Sequence, residues 1–279
     1  MKILITGANG FLGKELQEYY SNSSHEIVAT TRKELELTNF VKVQDFLKKN
    51  KFDVVVHAAV KGGKRNDIDD IDVLHENMKM FMIFESLKDQ YGLMFHFGSG
   101  AEFDRQKDIN NEKEESILNR LPQDYYGLSK NLITRKILES ENIYNLRLFG
   151  CFGAHEEPQR LFRKCFDSIQ NNTEFIIYED RYMDYFYSQD VGNVIDFIIA
   201  NDSNLLYRDY NLCYNNKHKL TELVQRLYDI SQIQSPSIEN QKQSIKNYSG
   251  DADRLQSLKI NLKGIDRGLK ECLTKWNKF

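Results

Sequence analysis

The sequence lacks several features that define other classes of protein. Its longest apolar runs, such as 54–56 and 195–200, are far shorter than the ~20 residues that cross a bilayer, which excludes a transmembrane helix. The N-terminus has no charged region followed by a long apolar stretch, so we expect no secretory signal and a cytoplasmic protein. Prolines are also scarce, with 3 in the chain, and the sequence gives no reason for their scarcity.

Paired cysteines and an excess of positive charge are absent as well. The four cysteines contain no C-x-x-C pair, which favours free buried thiols over a disulfide framework or a metal site. Lys+Arg 38 against Asp+Glu 41 gives a net charge of −3 and argues against a nucleic-acid partner. With 41% hydrophobic residues, the 279-residue chain has the composition of a globular protein with one large domain, or one domain and a smaller lobe.

The first half of the chain alternates short β-branched runs with longer periodic runs. Short runs of this kind predict strands, at 2–6, 26–30, 53–58, 93–97 and 145–149. The longer runs predict helices, at 11–21, 39–49, 72–90 and 124–141. Because strands and helices alternate, the pattern favours an α/β fold with a Rossmann-type, doubly wound parallel sheet.

Beyond residue 153 the predicted elements become shorter and mixed. We predict helices at 161–169, 191–200 and 220–233, with an extended segment at 174–178. The polar stretch 232–250 is interpreted as a surface connection. We therefore assign residues 1–150 to the Rossmann domain and 151–279 to a smaller mixed α/β substrate lobe, with parts of about 186–213 returning to the Rossmann domain.

A glycine-rich turn follows the first predicted strand and opens the first predicted helix. Glycines at 7, 10 and 13 let the backbone turn tightly and let a pyrophosphate approach the helix N-terminus. This position between strand and helix predicts a dinucleotide site. We expect the dinucleotide site to be lined at this turn by Gly7, Asn9, Gly10, Phe11, Leu12 and Gly13.

The residues after the second predicted strand indicate which dinucleotide binds. An acidic side chain there would bind the ribose of NAD, whereas a cation favours the 2′-phosphate of NADP. The strand is followed by Thr31, Arg32 and Lys33, with no carboxylate at the turn. We therefore predict NADP(H), contacted by Thr31 and Arg32; the alternative is that the two cations are a solvated pair on a loop.

Tyr126 and Lys130 lie four residues apart, on one face of a predicted helix. Hydride transfer to a carbonyl needs an acid that protonates the developing alkoxide, and a nearby ammonium lowers the pKa of a phenol. Ser99 ends the fourth predicted strand, where it can donate a hydrogen bond to the carbonyl. We predict Ser99, Tyr126 and Lys130 as the catalytic residues.

Together these motifs resemble the extended short-chain dehydrogenase/reductase superfamily. The resemblance rests on the glycine turn, the catalytic residues, the segment 57–59 with Asn77, and the segment 146–150. Within it, the chain resembles NAD-dependent epimerases/dehydratases, above all GDP-fucose synthase-like nucleotide-sugar reductases. The resemblance implies a homodimer formed through the helices at 72–90 and 124–141, and further cofactor contacts from Glu36, Leu37, Ala58, Ala59, Lys61, Asn77 and Phe149.

The resemblance also implies a nucleotide-linked sugar substrate with a C4 carbonyl. The residues expected to contact it are Ser99, Gly100, Ala101, His155, Arg160, Arg163 and Arg181. Ala101 replaces a cysteine that shuttles protons in fucose synthases, which argues against an epimerisation step. His155 could instead be an ordinary loop residue, and each arginine could be a surface charge. Glu102 and Asp104 could bind a sugar hydroxyl or lie on a solvated loop edge.

The sequence therefore favours an NADPH-dependent 4-ketoreductase that acts on a nucleotide-linked 4-keto-6-deoxy sugar in surface polysaccharide biosynthesis. The alternative is a nucleotide-sugar 4-epimerase with tightly bound NAD, which would use the same residues. A third hypothesis is a non-catalytic NADP-sensing regulator, against which the presence of Ser99, Tyr126 and Lys130 argues. No nucleic-acid or membrane partner is expected.

Overall fold

The computed structural model describes residues 1–63, 68–232, 238–240 and 246–277. The strands in this part of the chain are β1 (Lys2–Thr6), β2 (Glu26–Thr30), β3 (Phe52–His57), β4 (Tyr91–Ser99), β5 (Ile109–Glu112), β6 (Ile143–Leu148), β7 (Cys151–Phe152), β8 (Phe175–Ile177), β9 (Phe186–Tyr187), β10 (Asp209–Leu212), β11 (Ile238–Asn240) and β12 (Tyr248–Gly250). The helices are α1 (Phe11–Tyr20), α2 (Phe40–Asn50), α3 (Ile71–Ser86), α4 (Tyr125–Ile137), α5 (Leu161–Gln170), α6 (Ser188–Asn201), α7 (Leu220–Ser231), α8 (Asp253–Ser257) and α9 (Gly264–Trp276).

The central sheet has six parallel strands in the order β10-β6-β4-β3-β1-β2. All five strands predicted for the first half of the chain lie in it, and the predicted α/β fold with a parallel sheet is confirmed. The chain runs from β1 outwards to β2, and then returns to the other side of β1 to form β3. A crevice opens at such a reversal, beyond the carboxyl ends of the strands, and ligands of open α/β sheets bind there.

Strand residues alternate between two hydrophobic cores, one on each face of the sheet. Ile3 and Ile5 of β1 pack with α1 and α6, whereas Leu4 between them packs with α2, α3 and α4. All three side chains are fully buried. Successive side chains of a strand point to opposite faces, so a strand covered by helices on both faces is a continuous apolar run.

A smaller lobe is built from α5, α7, α9, β8 and β11. Its core holds Phe162, Leu223 and Trp276, all buried, and β8 pairs in parallel with β11. The predicted helices at 161–169 and 220–233 correspond to α5 and α7, and the extended segment to β8. Helix α9 was not predicted, although it supplies the only tryptophan of the chain to this core.

Two segments of the second half pack against the central sheet. Helix α6 lies against α1, where Tyr19 donates a hydrogen bond to Asp196 at 2.7 Å, and β10 forms the sheet edge beside β6. The second segment includes α8 and residues up to 262, whose apolar side chains join the same core as α1 and α6. The sequence analysis predicted that parts of about 186–213 return to the Rossmann domain, but it did not predict that this later segment does so.

The polar stretch 232–250 is not simply a surface connection. Its described residues form β11 and β12, of which β12 pairs with β5 in the larger part of the molecule. Residues 233–237 and 241–245 of the predicted connection lie outside the described residues. In the part of the chain that the structure describes, no helix is long and apolar enough to cross a membrane.

Candidate active site

The glycine turn forms a tight cradle at the reversal point of the sheet. Gly7 has φ +70°, and a Cβ there would lie 2.7 Å from the backbone nitrogen of Ala59. A Cβ on Gly13 would collide with the carbonyl oxygen of Gly7. Glycine is therefore needed at both positions, because the loop must approach the end of β3 and the start of α1 must approach the loop.

The N-terminus of α1 is open to a ligand. Gly10 is its N-cap residue and supplies no side chain, so no side chain caps the first backbone N–H groups of this helix. Such groups, together with the helix dipole, bind phosphate. The cradle and the uncapped helix end therefore fit the pyrophosphate of a dinucleotide, with Asn9 exposed and Phe11 and Leu12 half-buried at its rim.

The turn after β2 contains both a cation and a carboxylate. Arg32 is 80% exposed, and its nearest carboxylate, Glu76, is 3.8 Å away. Glu34 accepts hydrogen bonds at 2.8 Å from the backbone nitrogen and the hydroxyl of Thr31, and these bonds lower the pKa of its carboxyl. The prediction of NADP(H) did not consider Glu34, which lies two residues beyond Arg32. The Arg32 guanidinium is exposed, whereas the Glu34 carboxylate is already bonded to Thr31. This arrangement still favours the 2′-phosphate of NADP over the free ribose hydroxyl groups of NAD.

The other predicted cofactor residues differ in their positions. Glu36 pairs with Lys42 at 2.9 Å, and Leu37 is buried in the core beneath α2. Asn77 accepts a hydrogen bond from the Lys61 backbone nitrogen at 2.9 Å and donates to the Lys61 carbonyl at 3.0 Å. Asn77 therefore fixes the loop that follows β3, in which Ala58 and Ala59 are half-buried.

Ser99, Tyr126 and Lys130 come together where β4 ends against α4. Asp124 caps α4 by accepting from the Gly127 backbone nitrogen at 2.8 Å, and this cap fixes the first turn, which carries Tyr126. Lys130 donates to the carbonyl oxygen of Phe97 at 2.7 Å, and its Nζ lies 6.0 Å from the centroid of the Tyr126 ring. The predicted catalytic residues are therefore neighbours in the structure.

Burial determines the protonation of this group. Burial raises the pKa of the Tyr126 phenol, whereas the hydrogen bond with Ser99 and the charge of Arg105 lower it. Burial lowers the pKa of Lys130 to about 8, while the charge of Glu102 opposes this shift. The cation whose charge lowers the phenol pKa in this structure is Arg105. That Lys130 also lowers it stays a prediction.

Arg105 is a site residue that the sequence did not indicate. Its guanidinium carbon lies 5.5 Å from the centroid of the Tyr126 ring. The same guanidinium forms an ion pair with Asp124 at 2.5 Å and with Asp69 at 3.4 Å. No sequence motif includes this arginine, since it reaches the site through a loop after β4 and pairs with residues from two other segments.

Tyr248 is a second residue that sequence analysis missed. Its hydroxyl lies 3.4 Å from Ser99 Oγ. Its ring packs edge-on against Phe149, with centroids 5.6 Å apart, and Phe149 in turn lies against Gly100. Strand β12 carries Tyr248 into the site from the stretch that was interpreted as a surface connection.

Glu102 neither binds a sugar hydroxyl nor lies on a solvated loop edge. Its carboxylate accepts hydrogen bonds from the Ser99 backbone nitrogen at 2.8 Å, from Thr134 at 2.9 Å and from Arg147 at 2.7 Å. Arg147 also pairs with Asp209 at 3.0 Å, and all three charged side chains are buried. The spacing of Ser99 and Glu102 is that of a capping box, a signal that could have indicated this role. Asp104 is buried as well, so it does not lie on a solvated loop edge.

Of the predicted substrate residues, Ser99 ends β4, and Gly100 and Ala101 follow it directly. The backbone nitrogen of Ala101 donates to Ser99 Oγ at 3.2 Å, and a Cβ on Gly100 would collide with Phe149. His155 is exposed and faces α1, where its Nε2 lies 3.1 Å from Glu18. That contact places His155 beside the cofactor helix rather than beside the catalytic residues.

The three predicted substrate arginines have different surroundings. Arg160 donates to the carbonyl of Cys151 at 2.9 Å, and its guanidinium carbon lies 5.1 Å from the Phe11 ring centroid. Arg163 pairs with Asp167 at 2.9 Å. Arg181 has a buried Nε without a hydrogen-bond partner among the described residues. Their contact with a substrate remains a prediction.

Comparison with known proteins identifies the family. The sequence profile of the NAD dependent epimerase/dehydratase family matches residues 3–213, and the chain belongs to this family. Residues outside the profile include α7 and α9 of the smaller lobe. The matched range contains the strands of the central sheet, Ser99, Tyr126 and Lys130, together with α5 and β8 of the smaller lobe.

Individual relatives cover the chain to different extents. A GDP-L-colitose synthase from Yersinia pseudotuberculosis is 35% identical over 82 residues, which are 29% of this chain and 27% of that protein. That match therefore spans less than a third of the relative's length. A GDP-6-deoxy-D-talose 4-dehydrogenase from Aggregatibacter actinomycetemcomitans is 25% identical over 264 residues, covering 86% of this chain and 84% of the relative.

A solved structure matches almost the whole fold. The GDP-mannoheptose C4 reductase from Campylobacter jejuni, a structure with NADP bound, superposes with a TM-score of 0.84 at 18% identity. The superposition covers 99% of this chain and 98% of that chain. At this identity the likeness establishes the fold, including the central parallel sheet.

Proposed function

We propose that this chain is an NADPH-dependent reductase of the C4 carbonyl of a nucleotide-linked 4-keto-6-deoxy sugar. The observation that carries the proposal is the meeting of Ser99, Tyr126 and Lys130 at the end of β4. The glycine cradle at the end of β1 lies on the same edge of the sheet. A proton donor and a dinucleotide site at one edge of a parallel sheet are what carbonyl reduction requires.

Each residue has a chemical role in this reaction. When NADPH is bound, it supplies the hydride for the carbonyl carbon. Tyr126 donates its proton to the carbonyl oxygen, and Ser99 donates a hydrogen bond to the same oxygen. Lys130, held by the Phe97 carbonyl, lies beside the phenol. The raised pKa of Tyr126 keeps the phenol protonated at neutral pH, and the charge of Arg105 limits the rise.

The cofactor proposal rests on the cradle and on Arg32. The uncapped start of α1 fits a pyrophosphate, and the exposed guanidinium of Arg32 can pair with a 2′-phosphate. The Campylobacter jejuni reductase that shares the fold was solved with NADP bound. These observations support NADP(H) rather than NAD.

The substrate proposal rests on the relatives and on the residues of the site. The names of the two relatives and of the matching structure all refer to GDP-linked sugars, and two of them name chemistry at C4. We therefore propose a GDP-linked 4-keto-6-deoxy sugar as the first candidate, with its product used in surface polysaccharide biosynthesis. Ala101 has no group that could exchange a proton, which supports simple reduction over epimerisation.

We also propose a homodimer formed through α3 and α4. These helices lie together, since Asn77 donates to Ser129 at 3.2 Å and Lys136 pairs with Glu85 at 3.8 Å. The apolar side chain of Met82 remains 40% exposed on α3. Light scattering should give the mass of two chains, whereas a single-chain mass at micromolar concentration would contradict the dimer.

The function is tested by a screen of 4-keto-6-deoxy sugars linked to GDP, dTDP, UDP and CDP. NADPH oxidation is followed with the wild-type protein and with Ser99→Ala as the matched control. We expect oxidation with at least one sugar, fastest with the GDP-linked one, and little with the variant. Conversion of a 4-hydroxyl sugar without added cofactor, by a protein that retains NAD, would instead establish an epimerase.

A further inference from the structure

Two tyrosine hydroxyls, not one, lie beside Ser99. The Tyr248 hydroxyl is 3.4 Å from Ser99 Oγ, and it has no other hydrogen-bond partner within the described ranges. Ser99 also forms a hydrogen bond with Tyr126, and this bond lowers the pKa of the Tyr126 phenol. A serine between two phenols raises the question of which group donates to which.

The hydrogen-bonding capacity of a hydroxyl limits the possible arrangements. A serine has one hydrogen to donate and two lone pairs to accept with. One lone pair of Ser99 accepts from the Ala101 backbone nitrogen at 3.2 Å. If Tyr248 donates to the other lone pair, the single hydrogen of Ser99 can point only towards Tyr126 and the place of the carbonyl oxygen.

The protonation of Tyr248 permits this direction. Burial raises the pKa of its phenol well above the ordinary value; the hydrogen bond with Ser99 opposes this rise, and the neighbouring Tyr126 adds to it. Tyr248 therefore keeps its proton throughout the neutral and mildly alkaline range. A hydroxyl that receives a hydrogen bond also becomes a better donor, because hydrogen bonds in a chain polarise one another.

The surrounding backbone holds Tyr248 in place. Its backbone nitrogen donates to the carbonyl of Tyr182 at 2.9 Å, and its carbonyl accepts from Asp184 at 3.1 Å. On its other side, β12 pairs with β5, with Tyr248 opposite Ile109. Gly100 leaves room for the ring, since a Cβ there would lie 2.9 Å from Tyr248 Cζ. Three separate segments thus fix the position of this phenol.

We propose that Tyr248 is a positioning residue that donates to Ser99 and so directs the Ser99 hydroxyl towards the substrate carbonyl oxygen. This inference rests on the proposed carbonyl reduction. It assigns to the second half of the chain a part in the chemistry, and not only in the binding of the sugar. The role differs from that of Tyr126, which gives a proton to the substrate itself.

The test uses Tyr248→Phe, which keeps the ring and removes the hydroxyl. Tyr178→Phe is the matched control. Tyr178 directly follows β8 and is 60% exposed, outside the candidate active site. With the best sugar of the screen, we expect kcat to fall about tenfold in Tyr248→Phe. NADPH affinity and the thermal unfolding midpoint should remain those of the wild type, as should kcat in the control.

A double-mutant cycle separates positioning from mere packing. In a Ser99→Ala background, Tyr248→Phe should cause no further loss of kcat, because the group through which it acts is gone. Losses that multiply in the double variant would overturn the proposal. So would a kcat for Tyr248→Phe within twofold of the wild type.

A second readout does not depend on catalysis. In protein labelled with ¹³C at the tyrosine ζ-carbon, the Tyr126 resonance, assigned with Tyr126→Phe, reports the hydrogen bond from Ser99. We expect Tyr248→Phe and Ser99→Ala to shift this resonance in the same direction without adding, and Tyr178→Phe to leave it unchanged. If no keto sugar is reduced, the proposed function fails; an unchanged resonance in Tyr248→Phe contradicts the hydrogen-bond arrangement separately.

Discussion

Tyr126 is surrounded by groups that come from different parts of the chain. Ser99 ends β4, Arg105 lies in the next loop, and Gly63 packs so closely on the ring that a Cβ there would lie 2.5 Å from Tyr126 Cε2. Tyr126, Lys130 and Ser99 could be predicted because their chemistry and their positions relative to predicted elements agree. Arg105 and Tyr248 could not, since neither lies at a spacing that a local motif defines.

At the scale of single residues, Tyr126→Phe tests the proton donor. The variant keeps the ring that packs on Gly63 and loses only the hydroxyl. We expect unchanged NADPH affinity and a fall in kcat of at least about 100-fold, the size of a general-acid contribution. Fluorescence titration with NADPH and steady-state kinetics measure the two quantities; turnover close to that of the wild type would rule out Tyr126 as the donor.

Arg32→Ala tests the choice between the two dinucleotides. Because the guanidinium is 80% exposed and only distantly paired with Glu76, its removal should not disturb the fold. We expect NADPH to bind roughly tenfold or more weakly, and NADH to bind as before. Lys33→Ala serves as the neighbouring control. Equal losses for both cofactors on titration of Arg32→Ala would show that Arg32 does not contact the 2′-phosphate.

At the scale of elements, the start of α4 joins stability to the site. Asp124 caps the helix and at the same time binds Arg105, the cation beside Tyr126. Helix α4 and strand β4 were predicted, because the signals of each lie within a few residues of one another, whereas the cap at Asp124 was not. The pairing of β5 with β12 was not predicted, since the two strands are more than a hundred residues apart and each is short.

Asp124 and Asp70 form a matched pair for testing this link. Each caps a helix, α4 and α3 respectively, but only Asp124 binds Arg105. Alanine at either position should lower the free energy of unfolding by about 1 kcal/mol in denaturant titrations. Only Asp124→Ala should also lower kcat, since it frees Arg105 to move away from Tyr126. Equal effects of both variants on kcat would contradict a special role for Asp124.

At the scale of the whole molecule, the chain passes repeatedly between the two parts of the structure. The smaller lobe takes α5, α7 and α9 from separate stretches, while α6, β10 and α8 return to the central sheet. Hydrophobic periodicity predicts which segments are helices, but it carries no information on which core they join. For that reason the fold class could be predicted, whereas the second return of the chain and the place of α9 could not.

Two buried carboxyl groups, one in each part of the molecule, make stability depend on pH. Burial raises the pKa of Glu114, beside β10, and of Glu156, beside α5, to about 7. Between their usual range near pH 4.5 and pH 7, the folded state binds more protons than the unfolded state. The free energy of unfolding should therefore fall as the pH rises through this window.

Glutamine at either position imitates the protonated carboxyl group. We expect Glu156→Gln and Glu114→Gln each to reduce this pH-dependent loss of unfolding free energy, by on the order of 3 kcal/mol per residue. Denaturant titrations at pH 5 and pH 8 measure the difference. Glu157→Gln, an exposed neighbour, is the control. A variant whose stability falls with pH as steeply as that of the wild type would contradict the assignment for that residue.

The central claim is that a hydride passes to C4 of a nucleotide-linked keto sugar while this chain supplies the proton. The most direct measurement uses NADPH deuterated at the transferable position of the nicotinamide, with the best sugar of the screen, and locates the label in the product by NMR. We predict one deuterium at C4 of the sugar for each NADPH oxidised. Deuterium at another carbon, or a changed sugar without net NADPH oxidation, would contradict the account.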